Sequence, residues 1–80
     1  MNDSRLIGVG DVARLLGVSE KTVTRMDRSG LLPAPVHPAG GRAVRWDRLE
    51  LSAWLNRRNE TGELLARSEW QAVRGEALAA

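Results

Sequence analysis

The tripeptide Gly17-Val18-Ser19 limits this chain more than any other feature. It breaks a helical pattern after only about two turns. Upstream, Val12, Ala13, Leu15 and Leu16 recur at helical spacing in "GVGDVARLLGV", and Asp11 lies in the first turn, where it complements the helix dipole. Gly17 ends that pattern, and Ser19 is placed to cap a second helix, "EKTVTRMDRS", which Gly30 stops. Val23 and Met26 are its inward positions. Lys21, Thr22, Thr24, Arg25 and Arg28 face outward or flank that stripe. The chain therefore begins as two short helices joined by a tight turn.

The next segment, "LLPAPVHPAGGRAVRW", cannot be helical because its prolines deny the backbone donors a helix needs. "PAGG" signals a turn, and "RAVRW" alternates in strand fashion with Val44 and Trp46 on one side. The pattern predicts a short hairpin with arms at 32–37 and 42–46. Pro33, Pro35 and Pro38 restrict the first arm to an edge strand. Asp47 caps a third helix, "RLELSAWLNRR", and Glu50 three residues later suggests an Asp-type capping box. Leu51, Trp54 and Leu55 form its apolar stripe. "NETG" breaks the pattern before a last helix, "ELLARSEWQAVRGEALAA", with Ala66, Trp70, Val73 and Ala77 on one face. Gly75 weakens that helix by roughly 1 kcal/mol relative to Ala.

Length and composition narrow the function. Eighty residues make one domain that buries about 60% of its unfolded surface, with little room for a deep substrate pocket. No apolar run approaches the roughly 20 residues that span a bilayer. No basic start followed by an apolar block marks a signal peptide. There is no cysteine, hence no disulfide framework and no thiolate metal site. A cytoplasmic, nucleoid-associated protein with no membrane contact is expected. Residues 1–58 carry ten basic and six acidic side chains, whereas 59–80 carry two and four, so the basic character sits in the first part. Eleven of the twelve basic residues are Arg, whose planar fork suits phosphate and guanine.

A catalytic reading has little to stand on. His37, the one histidine, lies among prolines as a loop residue. "GVGDVA" is not a dinucleotide fingerprint, because no strand and no βαβ unit surround it. No cofactor, metal or small-molecule substrate is implied.

Two short helices joined by a tight turn, the second rich in outward donors, match the helix-turn-helix pattern. In that pattern the first helix braces the second, which lies in a DNA major groove about 12 Å wide. "LIGVGDVARLLGVSEKTVTRM", then "SGLLPAPV", a Gly-Gly turn, "RAVRW" and "LSAWLNRR" resemble the MerR-like winged helix-turn-helix of AlpA-type regulators and phage excisionases. The resemblance covers about residues 6–58. It implies a mainly α fold: a small winged helix-turn-helix with a two-stranded β wing, here with an additional C-terminal helix. It implies sequence-specific duplex-DNA binding, in transcription regulation or in excisionase-type control of recombination. Ser19, Lys21, Thr22, Thr24, Arg25 and Arg28 then fall on the recognition helix, and Arg42 and Arg45 on the wing. Arg25 suits a base contact, Lys21 and Thr22 phosphate or mixed contacts, and the wing arginines the backbone or minor groove.

The chain departs from the resemblance in two places. Met26 stands where an aromatic residue is usual between recognition helix and wing, and Gly8 where a Ser or Thr cap usually opens the first helix. The division expected is a DNA-binding domain at 1–58 and a helical extension at 59–80, serving packing or oligomerisation. A homodimer or a cooperative array on DNA is expected, because one domain this small covers few base pairs. The alternative is a protein-interaction module that keeps the scaffold and binds a phage or regulatory partner through the last helix. In the bland readings, Arg14 and Arg48 are solvated or structural, Arg57 and Arg58 compensate a helix C-terminus, and Trp46 and Trp54 are core. Trp70 either seals the last helix or lies in a dimer contact.

Overall fold

The computed structural model describes residues 5–37 and 43–79. In chain order the elements are β1 (Leu6–Ile7), α1 (Val9–Leu16), α2 (Glu20–Arg28), β2 (Trp46–Asp47), α3 (Arg48–Leu55) and α4 (Arg67–Ala79). Gly17 adopts φ +73°, and its N–H and that of Val18 both donate to the Ala13 carbonyl, at 2.8 and 3.0 Å. This closes α1 and turns the chain into α2. The Ser19 hydroxyl accepts the Thr22 N–H at 3.1 Å, the cap its position suggested. Gly30, also at φ +73°, ends α2.

The sheet differs from the expected hairpin. β1 pairs with β2 in antiparallel register, Leu6 opposite Asp47 and Ile7 opposite Trp46. Between the two expected hairpin arms the described residues show one antiparallel bridge, Val36 to Arg45, with backbone bonds of 2.7 and 2.9 Å. The expected turn and Arg42 lie outside the described residues. Two residues are too few for β1 to show an alternating pattern, so it had no sequence signature.

The core is built from every element except β1: Val12, Ala13, Val23, Leu32, Trp46, Leu51, Trp54 and Trp70. Each tryptophan buries its ring and places its one N–H on a partner. Trp46 donates to the Pro33 carbonyl at 3.2 Å, Trp54 to the Leu65 carbonyl at 2.8 Å, and Trp70 to Glu50 Oε2 at 2.7 Å. Buried indoles need such partners, because an unpaired buried donor costs on the order of 1–3 kcal/mol. Trp70 is fully buried, so it seals α4 onto the rest of the molecule.

Asp47 caps α3 as expected, its Oδ1 accepting the N–H groups of Leu49 at 2.9 Å and Glu50 at 3.4 Å. Burial pushes its carboxyl up, but the Arg5 hydrogen bond, the Glu50 and Leu49 backbone donors and the Arg5 charge outweigh this and hold it below its ordinary value. Glu50 does not complete a capping box. Both its oxygens turn toward α4, where Oε2 receives Trp70 Nε1 and Arg74 Nε, and Oε1 receives Arg74 Nη2. The hydrogen bond and charge of Glu50 raise the Arg74 guanidinium above its ordinary value.

Two helix limits are also corrected. α3 stops at Leu55 because the N–H groups of Asn56 and Arg57 bond only three residues back, to Ala53 and Trp54, and tighten the last turn. Arg57 and Arg58 follow it, and Arg58 donates to the Leu55 carbonyl at 2.6 Å. α4 starts at Arg67 and not at Glu63, because 59–63 is folded around the Asn59 side chain, whose Oδ1 accepts from Thr61 and Glu63 N–H. Glu69 then reaches back to the Ala66 N–H at 2.9 Å and opens the helix.

Candidate nucleic-acid interface

α2 shows one face to solvent. Lys21, Thr24, Arg25 and Arg28 stand at spacings of three, one and three, which stacks them on a single side of a helix. All four are exposed, and with Ser29 they line a shallow open depression. Val23, on the opposite side, is fully buried, and Met26 is half-buried against the core. One inward pin thus sets which way the four donors point.

Among the described residues four arginines sit in ion pairs, and the other basic side chains, those of this face included, do not. Arg5, Arg14, Arg67 and Arg74 each hold an acidic partner: Asp47, Asp11, Asp27 and Glu50. Among the described residues, Lys21, Arg25 and Arg28 hold none. Three cations on one stripe, left without counter-charges, make a locally positive surface suited to an anionic ligand.

The remaining predicted positions fall elsewhere. Ser19 and Thr22 sit at the opening turn of α2 and bond to each other, Ser19 Oγ donating to Thr22 Oγ1 at 3.0 Å. The Ser19 hydroxyl is therefore occupied as donor and acceptor within the cap. Arg45 is exposed, donates to the Val44 carbonyl at 2.9 Å, and its guanidinium lies beside Gly8 at the start of α1. A Cβ at Gly8 would meet that guanidinium in ordinary van der Waals contact, 3.7 Å from Nη1. Gly10 has a similar neighbour: a Cβ there would come within 3.1 Å of Glu20 Oε2. The Glu20 side chain of α2 thus lies close against the first turn of α1. Arg42 lies outside the described residues, and His37 is exposed.

The residues that sequence reasoning missed are Asp27 and Arg67. Asp27 reads as one more polar position in α2, and Arg67 as one residue in a run thought to be helical from Glu63. The two lie forty residues apart, and no local pattern connects them. Among the described residues, no group of acidic and histidine side chains is placed to hold a metal ion, and no helix is long and apolar enough to cross a membrane.

Comparison with known proteins agrees with this geometry. The model of a helix-turn-helix domain family matches residues 6–59, from β1 through the end of α3 and its following turn. No curated protein and no solved structure matches the chain. The match takes in the Gly17 turn, the capped second helix and its cationic face, and it spans well over half of the sequence. The chain belongs to the helix-turn-helix domain family, whose members bind DNA.

Proposed function

We propose that the protein recognises a specific duplex-DNA sequence with α2 in the major groove, as a transcription regulator or an excisionase-type accessory factor. The carrying observation is the stripe of Lys21, Thr24, Arg25 and Arg28, exposed and cationic, on the helix that follows the Gly17 turn. Arg25 is assigned a base edge, with guanine the partner its fork fits. Lys21 and Arg28 flank it and are assigned phosphates, which set register without carrying sequence. Ser19 and Thr22 act at the groove's edge, Ser19 by holding the first turn of α2. Arg45, with Arg42, is assigned the neighbouring backbone or minor groove, as a wing would be. The assignment of residues 1–58 to DNA binding and of 59–80 to packing belongs to the same proposal, as does pairing of copies on DNA, since one α2 reads few base pairs.

The test is duplex selection from a random pool followed by a salt titration. Affinity should fall steeply with salt, by close to one power of salt concentration per phosphate contacted. Arg25→Ala should cost about 1–3 kcal/mol and relax preference at one base pair, while Lys21→Ala should weaken all sequences alike and lower the salt slope by about one. No binding to any duplex at low salt would refute the proposal.

A further inference from the structure

We infer that Arg67, in the extension beyond the family match, is a positioning residue for the DNA-reading helix: it clamps the last turn of α2 to the segment that leaves it. The inference rests on the DNA-binding proposal and adds to it a specificity-determining residue that touches no DNA.

The contacts are these. Arg67 Nη2 donates to Asp27 Oδ1 at 2.7 Å and to the Asp27 carbonyl at 3.3 Å. Its Nε donates to the Leu32 carbonyl at 2.9 Å, and its backbone N–H to the Gly30 carbonyl at 2.8 Å. One residue thus ties together positions 27, 30 and 32, which are the final turn of α2, its glycine stop and the first core residue after it. The Asp27 carbonyl belongs to the last turn of α2 and also accepts the Gly30 N–H at 3.1 Å, while the Gly30 and Leu32 carbonyls lie in the segment that leaves the helix. The guanidinium also places a cation at the negative end of the helix dipole. The clamp is anchored from behind. Three residues further along α4, Trp70 is fully buried on Glu50, and Arg74 pairs with the same carboxylate.

Two consequences reach the reading face. Asp27 lies between Arg25 and Arg28 in sequence, and the Arg67 ion pair neutralises the one acidic charge of that turn. The three-way tie also fixes how α2 sits relative to Leu32, Pro33 and the Val36–Arg45 bridge that follows. Without Arg67, α2 would keep its Ser19 cap, its Val23 and Met26 core contacts and its charges, but its last turn would lose its tie to α4. Base contacts depend on the angle of α2, whereas phosphate attraction does not.

The experiment compares the full-length protein with Arg67→Ala and Arg67→Lys. Affinity is measured on the selected duplex and on an unrelated duplex of equal length across a salt series. Arg67→Ala should lower the ratio of specific to non-specific affinity about tenfold, the size of one lost base contact, with the salt slope unchanged. Arg67→Lys, which keeps the charge but not the fork, should fall between. An unchanged ratio in either folded variant overturns the inference. So does a parallel loss on both duplexes with a slope lower by about one, the mark of a direct phosphate contact. Should Arg67→Ala fail to fold, the lysine variant decides by the same criteria. If the parent protein binds no duplex, the DNA-binding proposal is what has failed, and hydrogen exchange decides the clamp. The amides of Ser29, Gly30 and Leu31, bonded to Arg25, Asp27 and Met26 carbonyls, should then exchange faster in Arg67→Lys while α3 keeps its protection; equal exchange overturns the clamp.

Discussion

Removing the Glu50 side chain would strand two donors at once. Trp70 Nε1 is buried and Arg74 is partly solvated, and both rest on the same carboxylate. Glu50→Ala should therefore cost about 2–4 kcal/mol in urea unfolding, and Glu50→Gln less, since its amide oxygen still accepts the indole. An unfolding midpoint for Glu50→Ala equal to that of the parent would mean that the Glu50 contacts add nothing net to the hold on α4. Glu50 also marks the limit of what a residue pattern can say. Its position three residues after Asp47 suits a capping box, and the Asp47 half of that pattern formed. A glutamate can equally turn across the molecule to an indole twenty residues on, and nothing near it in sequence distinguishes the two. Ser19 and Gly17 were legible for the opposite reason. Their partners, Thr22 and Ala13, lie within four residues.

α4 runs unbroken from Arg67 to Ala79 with Gly75 in its interior. A Cβ at Gly75 would meet nothing within 4 Å, so the glycine serves no close approach. Gly75→Ala should stabilise the protein by about 0.5–1 kcal/mol, read as a higher unfolding midpoint with an unchanged slope. No change would mean that the C-terminal turns of α4 are frayed and do not share in global unfolding. α2 is the opposite case. Ser19 and Gly30 bound it, its apolar side is narrow, and its outward positions carry Thr22 and Thr24, β-branched residues that a merely solvated helix has little reason to prefer. Its existence, its limits and its exposed face could all be read from residues 17–30. The start of α4 could not. The loop built on Asn59 uses side-chain bonds that compete with helix, and Leu64 and Leu65 carry an apolar pattern that a helix would share.

As a molecule, the protein is larger than its family's motif. The family match ends at residue 59, yet Trp70 lies in the same core as Trp54 and Leu51. Total stability for a chain of this size is on the order of 4–12 kcal/mol, and losing a buried tryptophan alone costs about 3–5 kcal/mol. A chain ending at residue 59 should therefore show no cooperative thermal transition by circular dichroism, despite containing the whole motif. A sharp transition near that of the full chain would show that α4 is an accessory. The contrast in what could be foreseen follows from distance along the chain. The Gly17 turn, the Ser19 and Asp47 caps, the Gly30 stop and the cationic stripe of α2 are settled by neighbours within about one helical turn, so the residues alone specify them. The pairing of Ile7 with Trp46, of Glu50 with Trp70 and of Asp27 with Arg67 joins positions twenty to forty apart. Many placements of α4 would bury the same apolar stripe. Packing chose the one in which every buried indole N–H finds an acceptor and Arg67 reaches the C-terminal end of α2.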